Sequence, residues 1–212
     1  MIEILCVTVI SVLFIKLLPS YINIQINWFW APCVLIAAGL VPTSLRKKRF
    51  SEIGLCVEQP WMVLRVLLAT CIIVFPLFWA GIFLLSKFNI ELPLSPIIPE
   101  GRWISWLAYQ FMYIAVAEEI FFRGYIQSNI VSLLAMSVQK KRAFLEIIGI
   151  IISATVFAIS HCLILGSIMP IITFFPGLIF GWLLVRTKSL LAPVLFHGLA
   201  NVFYGLIATV LT

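Results

Sequence analysis

The chain has 212 residues, 63% hydrophobic and 10% charged, and a mean hydropathy of +1.18. A soluble domain carries about 25% charged residues, so this composition excludes an ordinary soluble fold; it indicates a polytopic membrane protein with room for roughly six to eight spans of about 20 residues. The net charge of +6 does not point to nucleic acid. The basic residues stand in short clusters beside apolar runs, which reads as topology and lipid contact, and there is no aromatic–basic interleaving of the kind that binds single strands.

Cys6, Cys33, Cys56, Cys71 and Cys162 are scattered and odd in number, with no Cys-x-x-Cys pair. They read as buried free thiols acting as small hydrophobes, not as a disulfide framework or a thiolate zinc site. Met1-Ile2-Glu3 lacks a basic region, and no small-residue cleavage site follows, so the first apolar run is expected to be a retained span.

In chain order, the first expected span covers residues 4–18 and is stopped by Pro19-Ser20. A polar connector follows at 23–27. The second span covers 28–45, with Trp28 and Trp30 suited to an interface, and ends at Arg46-Lys47-Lys48-Arg49. Residues 50–60 read as a half-polar connector lying on the surface. The third span covers 61–86, with a kink expected at Pro76. Residues 87–101 form the longest loop, stiffened by Pro93, Pro96 and Pro99. A fourth helix starts near Arg102 and continues to about Val138, closed by Lys140-Lys141-Arg142. The fifth span covers 143–164. Gly166 and Pro170 break the chain before a sixth span at 168–185. Arg186-Thr187-Lys188 is a tight connector, and the seventh span starts at Leu190 or Pro193.

The expected fold is thus an all-α transmembrane bundle of about seven spans, forming a single domain over 1–212 with its functional core at about 103–212. The positive-inside rule puts the clusters at 46–49, 140–142 and 186–188 on the cytoplasmic side, with the N-terminus inside. That orientation leaves a tension. A straight fifth span carries His161 about 25 Å from its cytoplasmic start, whereas His197 lies only a turn or two into the seventh. Sharing a site requires these helices to tilt, break or begin within the membrane.

The stretch that organises the chain is Ala117-Glu118-Glu119-Ile120-Phe121-Phe122-Arg123-Gly124. Ionised groups in a bilayer cost roughly 2.5–3.5 kcal/mol each on insertion scales, so three nearby imply a use. Glu119 and Arg123 are i and i+4, in the favourable acid-before-base order, while Glu118 is turned about 100° away. One carboxylate is then neutralised by Arg123 and the other is left to face a cavity. His161, His197 and Asn201 also interrupt apolar runs, and His197 and Asn201 share a helix face.

Taken singly, each of these residues has a bland explanation as packing glue or proton relay. Together they include most of the charged and histidine residues of the last four spans. Glu118 is suited to deprotonate a water, His161 to hold that water, and His197 with Asn201 to donate to an oxyanion, a set that supports amide hydrolysis. A zinc site from Glu118, His161 and His197 is an alternative, without a His-Glu-x-x-His segment to favour it. The chain has no Asp, which argues against a serine–histidine–aspartate set and an aspartyl protease. A non-enzymatic scaffold or immunity protein, and a transporter with a carboxylate relay, are the other readings. The internal repeats usual in a transporter are not visible.

At these residues the sequence resembles the CAAX protease and bacteriocin-processing (CPBP, or Abi) family of intramembrane proteases. The motifs are Glu118-Glu119-Ile120-Phe121-Phe122-Arg123, Phe157-Ala158-Ile159-Ser160-His161 and His197-Gly198-Leu199-Ala200-Asn201. Gly177 to Trp182 and Ser189 to Pro193 also look like family segments. The resemblance covers residues 103 onward. It implies a helical endopeptidase of the membrane, in which Glu118, Glu119, Arg123, His161, His197 and Asn201 form the site and a glutamate activates water without a metal. It also implies a membrane-associated protein or peptide as substrate and the cytoplasmic membrane of a bacterium as location.

Overall fold

The computed structural model describes residues 1–21, 30–88 and 101–211. Among these are seven long helical segments and no strand: α1 (Ile2–Tyr21), α2 (Trp30–Leu45), α3 (Pro60–Lys87), α4 (residues 103–137), α5 (Arg142–Leu165), α6 (Phe174–Thr187) and α7 (Leu191–Leu211). The chain is an all-α membrane bundle. Pro60–Leu85, Arg142–Leu165, Met169–Thr187 and Leu191–Thr209 are long and apolar enough to cross a membrane, and Trp30–Leu45 is a shorter apolar helix. Trp28, the connector at 23–27 and the three loop prolines lie outside the described residues.

The surface follows from lipid as solvent. Leu68, Ile72, Ile73 and Leu77 of α3 are exposed, whereas Val63 and Leu67, one turn apart, enter the core. Apolar side chains facing hydrocarbon lose nothing, so a face that would be a liability in water is the ordinary outside of this bundle. The cysteines share it: none is in a disulfide, but Cys6 and Cys33 are exposed and none of the five is buried, so the expectation of buried thiols is corrected.

α4 is the central element. It is α-helical at Trp103–Ala108, π-helical at Tyr109–Ala115, α-helical at Val116–Glu118, π-helical at Glu119–Gln127 and α-helical again at Ser128–Ser137. The caps at each join stay in the right-handed helical region, so the pitch changes without a break. π turns are rare and concentrate at functional sites. Every residue of Glu119–Gln127 is buried, with α2, α5 and α6 packed around this stretch. Phe121, Tyr125 and Ile126 join Ile15, Leu35, Phe157, Phe180 and Phe196 in one apolar core drawn from both halves of the chain.

Two expected boundaries shift. α1 runs through Pro19 to Tyr21, so the proline does not stop the helix where the sequence suggested. The connector after α2 is not a free surface segment. A short 3-10 turn at Phe50–Ile53 buries Ile53, and Gly54 (φ 85°) accepts a hydrogen bond from Leu190 N at 2.8 Å. A side chain at Gly54 would be strained by this left-handed turn and would also press on Leu184 Cδ1 at 2.8 Å, so the turn favours glycine.

This docking gathers the basic connectors at one end of the bundle. Lys188 Nζ reaches Glu146 at 3.0 Å, and Arg142 reaches the same carboxylate at 3.1 Å. At that end Arg46 pairs with Glu3, which also accepts from Tyr125 Oη at 3.2 Å. Arg46 and Lys48 both donate to Asn129 Oδ1. The first two helices are thereby tied to α4.

Candidate active site

The polar residues of the site come from three helices, α4, α5 and α7. Glu118 and Glu119 come from α4, at the step between its α and π segments. Arg123 is one turn further on, and its Nη1 donates to Glu119 Oε1 at 3.1 Å with both side chains fully buried. The guanidinium lies 4.3 Å from the Phe157 ring centroid and 4.8 Å from that of Phe180, and Nη2 donates to Gly177 O at 3.4 Å. Aromatic faces on α5 and α6 thus help compensate a cation that has lost its water.

α7 brings His197, stacked on Phe180 at 4.6 Å and 16°. Its Nδ1 lies 2.8 Å from Glu119 Oε1. A carboxylate held by a buried arginine accepts, so Nδ1 carries the proton and Nε2 points into the site. α5 brings His161, whose Nδ1 lies 2.9 Å from Phe157 O. The carbonyl can only accept, so here too Nε2 is the outward nitrogen. This bond also eases the depth tension. Helical side chains lean toward the N-terminus, and the His161 ring folds back to 4.4 Å from Phe157, whose own ring is 6.1 Å from His197.

The two outward nitrogens meet Glu118. Its Oε2 is 3.8 Å from His161 Nε2 and 3.7 Å from His197 Nε2, and it has no hydrogen-bond partner among the described residues. Glu118 and His161 keep some side-chain exposure (15% and 25%), whereas His197 and Glu119 are closed off (6% and 0%). Asn201 is placed differently. Its Nδ2 donates to Gln110 Oε1 at 2.9 Å, which leaves one amide proton for other use. Gln110, in the first π segment of α4, is a residue that the motif reading missed. The same segment lies tightly on α7: a Cβ at Gly198, between His197 and Asn201, would come within 2.3 Å of Phe111 Cδ1.

The donor set bears on zinc in two ways. Both histidines have their second nitrogen held by an acceptor, the pattern that orients metal ligands. Glu119, expected from the spacing to be taken up by Arg123, accepts from both Arg123 and His197, so it is not lost as a support for His197. The spacing is less suitable. Zn–N bonds of about 2.0–2.1 Å put tetrahedral neighbours about 3.3 Å apart, and the separations here are 3.7 and 3.8 Å. Among the described residues no group of three such side chains is spaced to hold a metal ion. As arranged, the residues do not fit zinc.

Embedded carboxylates, histidines and a buried arginine in an apolar bundle are compatible with a membrane-integral enzyme. Residues 100–203 match the family model described as Rce1-like, type II CAAX prenyl endopeptidase Rce1-like, and over that stretch the chain is similar to this protease family. No curated protein and no solved structure matches the chain.

Proposed function

We propose that the chain is an intramembrane endopeptidase that cleaves a membrane-associated polypeptide with water activated by Glu118, and without a metal. The observation that carries this reading is the unpartnered Glu118 Oε2 facing two imidazole Nε2 atoms at 3.7 and 3.8 Å. These gaps are too long for direct hydrogen bonds and suit groups that share one water. The substrate class is a polypeptide held in the bilayer by a lipid or apolar anchor, in line with the prenyl endopeptidase of the family description. It would approach on the side where Glu118 and His161 are exposed. The gathering of the basic connectors at one end supports an orientation with that end in the cytoplasm.

A water can donate only two protons, yet three acceptors surround its position: Glu118 Oε2 and two Nε2 lone pairs. One further proton satisfies the count. Placed on His197, it gives a charge sum of zero over Arg123, His197, Glu118 and Glu119, the arrangement that a low-dielectric site favours. His197 Nε2–H and the remaining Asn201 amide proton are then donors for an oxyanion. The water oxygen bonds to the scissile carbonyl carbon, its proton passes to Glu118, and the carbonyl pair moves onto oxygen. Collapse of that oxyanion breaks the C–N bond, and the amine leaves with the proton from Glu118.

The test is cleavage of membrane-anchored peptides by the reconstituted protein, with the broken bond mapped by mass spectrometry. Replacing Glu118 with Ala should lower kcat/KM by about 10²-fold or more, as loss of a general base does, with helicity unchanged. Activity within a few fold of wild type in that variant would end the assignment.

A further inference from the structure

We infer that the end of the bundle carrying the basic connectors has a headgroup site for an anionic phospholipid, built from Arg65 of α3 and Arg186 of α6. A pocket of about 550 Å³ lies there, lined by Glu58, Gln59, Trp61, Met62, Arg65 and Arg186 among others. It shares no residue with the Glu118 cluster.

The ion pairs of the chain single this pocket out. Of its seven arginines, Arg46, Arg49, Arg123 and Arg142 are paired with glutamates; of the other three, Arg65 and Arg186 line this pocket and Arg102 does not. Lys188, two residues after Arg186, is committed to Glu146. Arg65 and Arg186 have no carboxylate partner among the described residues, although Glu58 lines the same pocket. Two exposed guanidinium groups therefore share one recess with a single carboxylate, which leaves it net positive. The start of the 28-residue helix α3 adds its partial positive charge at the same place.

The position decides between a lipid and a free anion. Arg65 stands near the beginning of the membrane-crossing segment Pro60–Leu85, and Arg186 in the last turn of Met169–Thr187. Trp61 is 73% exposed, as in an interfacial aromatic belt. Directly below it on α3, Leu64, Leu68 and Ile72 are exposed and apolar. A phosphodiester held by guanidinium forks, with acyl chains along this face, uses both halves of the surface. Inorganic phosphate would use only one. Basic pockets between helices at this depth recognise acidic headgroups for the same reason.

Native mass spectrometry of the purified protein, titrated with phosphatidylglycerol or phosphatidylcholine, tests this without reference to proteolysis. Wild type should retain one phosphatidylglycerol with a preference of roughly tenfold or more over phosphatidylcholine. Arg65→Gln with Arg186→Gln should abolish the preference, whereas Arg49→Gln with Lys140→Gln should keep it. Equal selectivity in both double variants, or none in wild type, overturns the site, as does retention that inorganic phosphate competes away. Independently of variant folding, a photoactivatable phosphatidylglycerol should crosslink wild type at residues 58–66 or near 186. Crosslinks confined to other basic segments would overturn it equally.

Discussion

His197 gives its Nδ1 proton to Glu119 Oε1 at 2.8 Å, across 78 positions of sequence. The same oxygen accepts from Arg123 at 3.1 Å. A carboxylate has about four lone-pair sites, so an arginine does not exhaust it. The two adjacent glutamates thereby divide: Glu119 binds three helices together through Arg123 and His197, and Glu118 is left to the site.

That division predicts opposite behaviour for two isosteric changes. Glu119→Gln strands Arg123 as a buried charge, and breaking such a pair costs ~3–5 kcal/mol. The variant should melt well below wild type and be inactive. Glu118→Gln should melt near wild type and lose activity by about 10²-fold or more. Melting in detergent alongside peptide cleavage checks both, and equal stability of the two variants would contradict the division.

Gln110 is predicted to set which end of the Asn201 amide faces the site. Gln110→Leu removes one hydrogen bond, worth roughly 0.5–1.5 kcal/mol, so kcat should fall by roughly 3- to 10-fold with KM little changed. Gln110→Glu keeps the acceptor and should restore most of kcat. A leucine variant with wild-type kcat would show that Asn201 needs no such support.

Much of this arrangement was legible in the sequence, and the limits have physical causes. The apolar runs place the seven helices, and the spacing of Glu119 and Arg123 places their ion pair, because both are local. Gln110 met the same criterion as His161 and Asn201, a polar residue in an apolar run, yet fell outside the recognised motifs. The π segments of α4 carry no local signal; how the helix packs among α2, α5 and α6 lies beyond its own sequence. Burial of Ile53 depends on Gly54 meeting Leu190, 136 residues later, and no connector composition announces that.

Gly198 is predicted to be intolerant of any side chain. A Cβ there would press on Phe111 and part α7 from the π segment of α4, with His197 and Asn201 on either side. Overpacking of this kind costs about 1–3 kcal/mol. Gly198→Ala should lower the melting temperature and activity together, and Phe111→Leu should partly relieve the defect. Strict additivity of the two changes in a double-mutant cycle would show that the contact is not the cause.

The last prediction concerns the metal. By type and orientation Glu118 Oε2, His161 Nε2 and His197 Nε2 are acceptable zinc donors, and the supports behind both imidazoles are present. Drawing them onto an ion requires closing separations of 3.7 and 3.8 Å to about 3.3 Å. Each histidine is already held on its other side, by Phe157 O and by Glu119, so closure works against those hydrogen bonds. A shared water with hydrogen bonds of about 2.8 Å reaches across these gaps at an angle of about 83°, narrower than tetrahedral, but needs no closure. Chelator-treated protein should therefore retain activity within about a factor of two and contain far less than one zinc per chain by mass spectrometry. Stoichiometric zinc, with activity lost on its removal and regained on its return, would replace the glutamate–water mechanism with a metal one at the same residues.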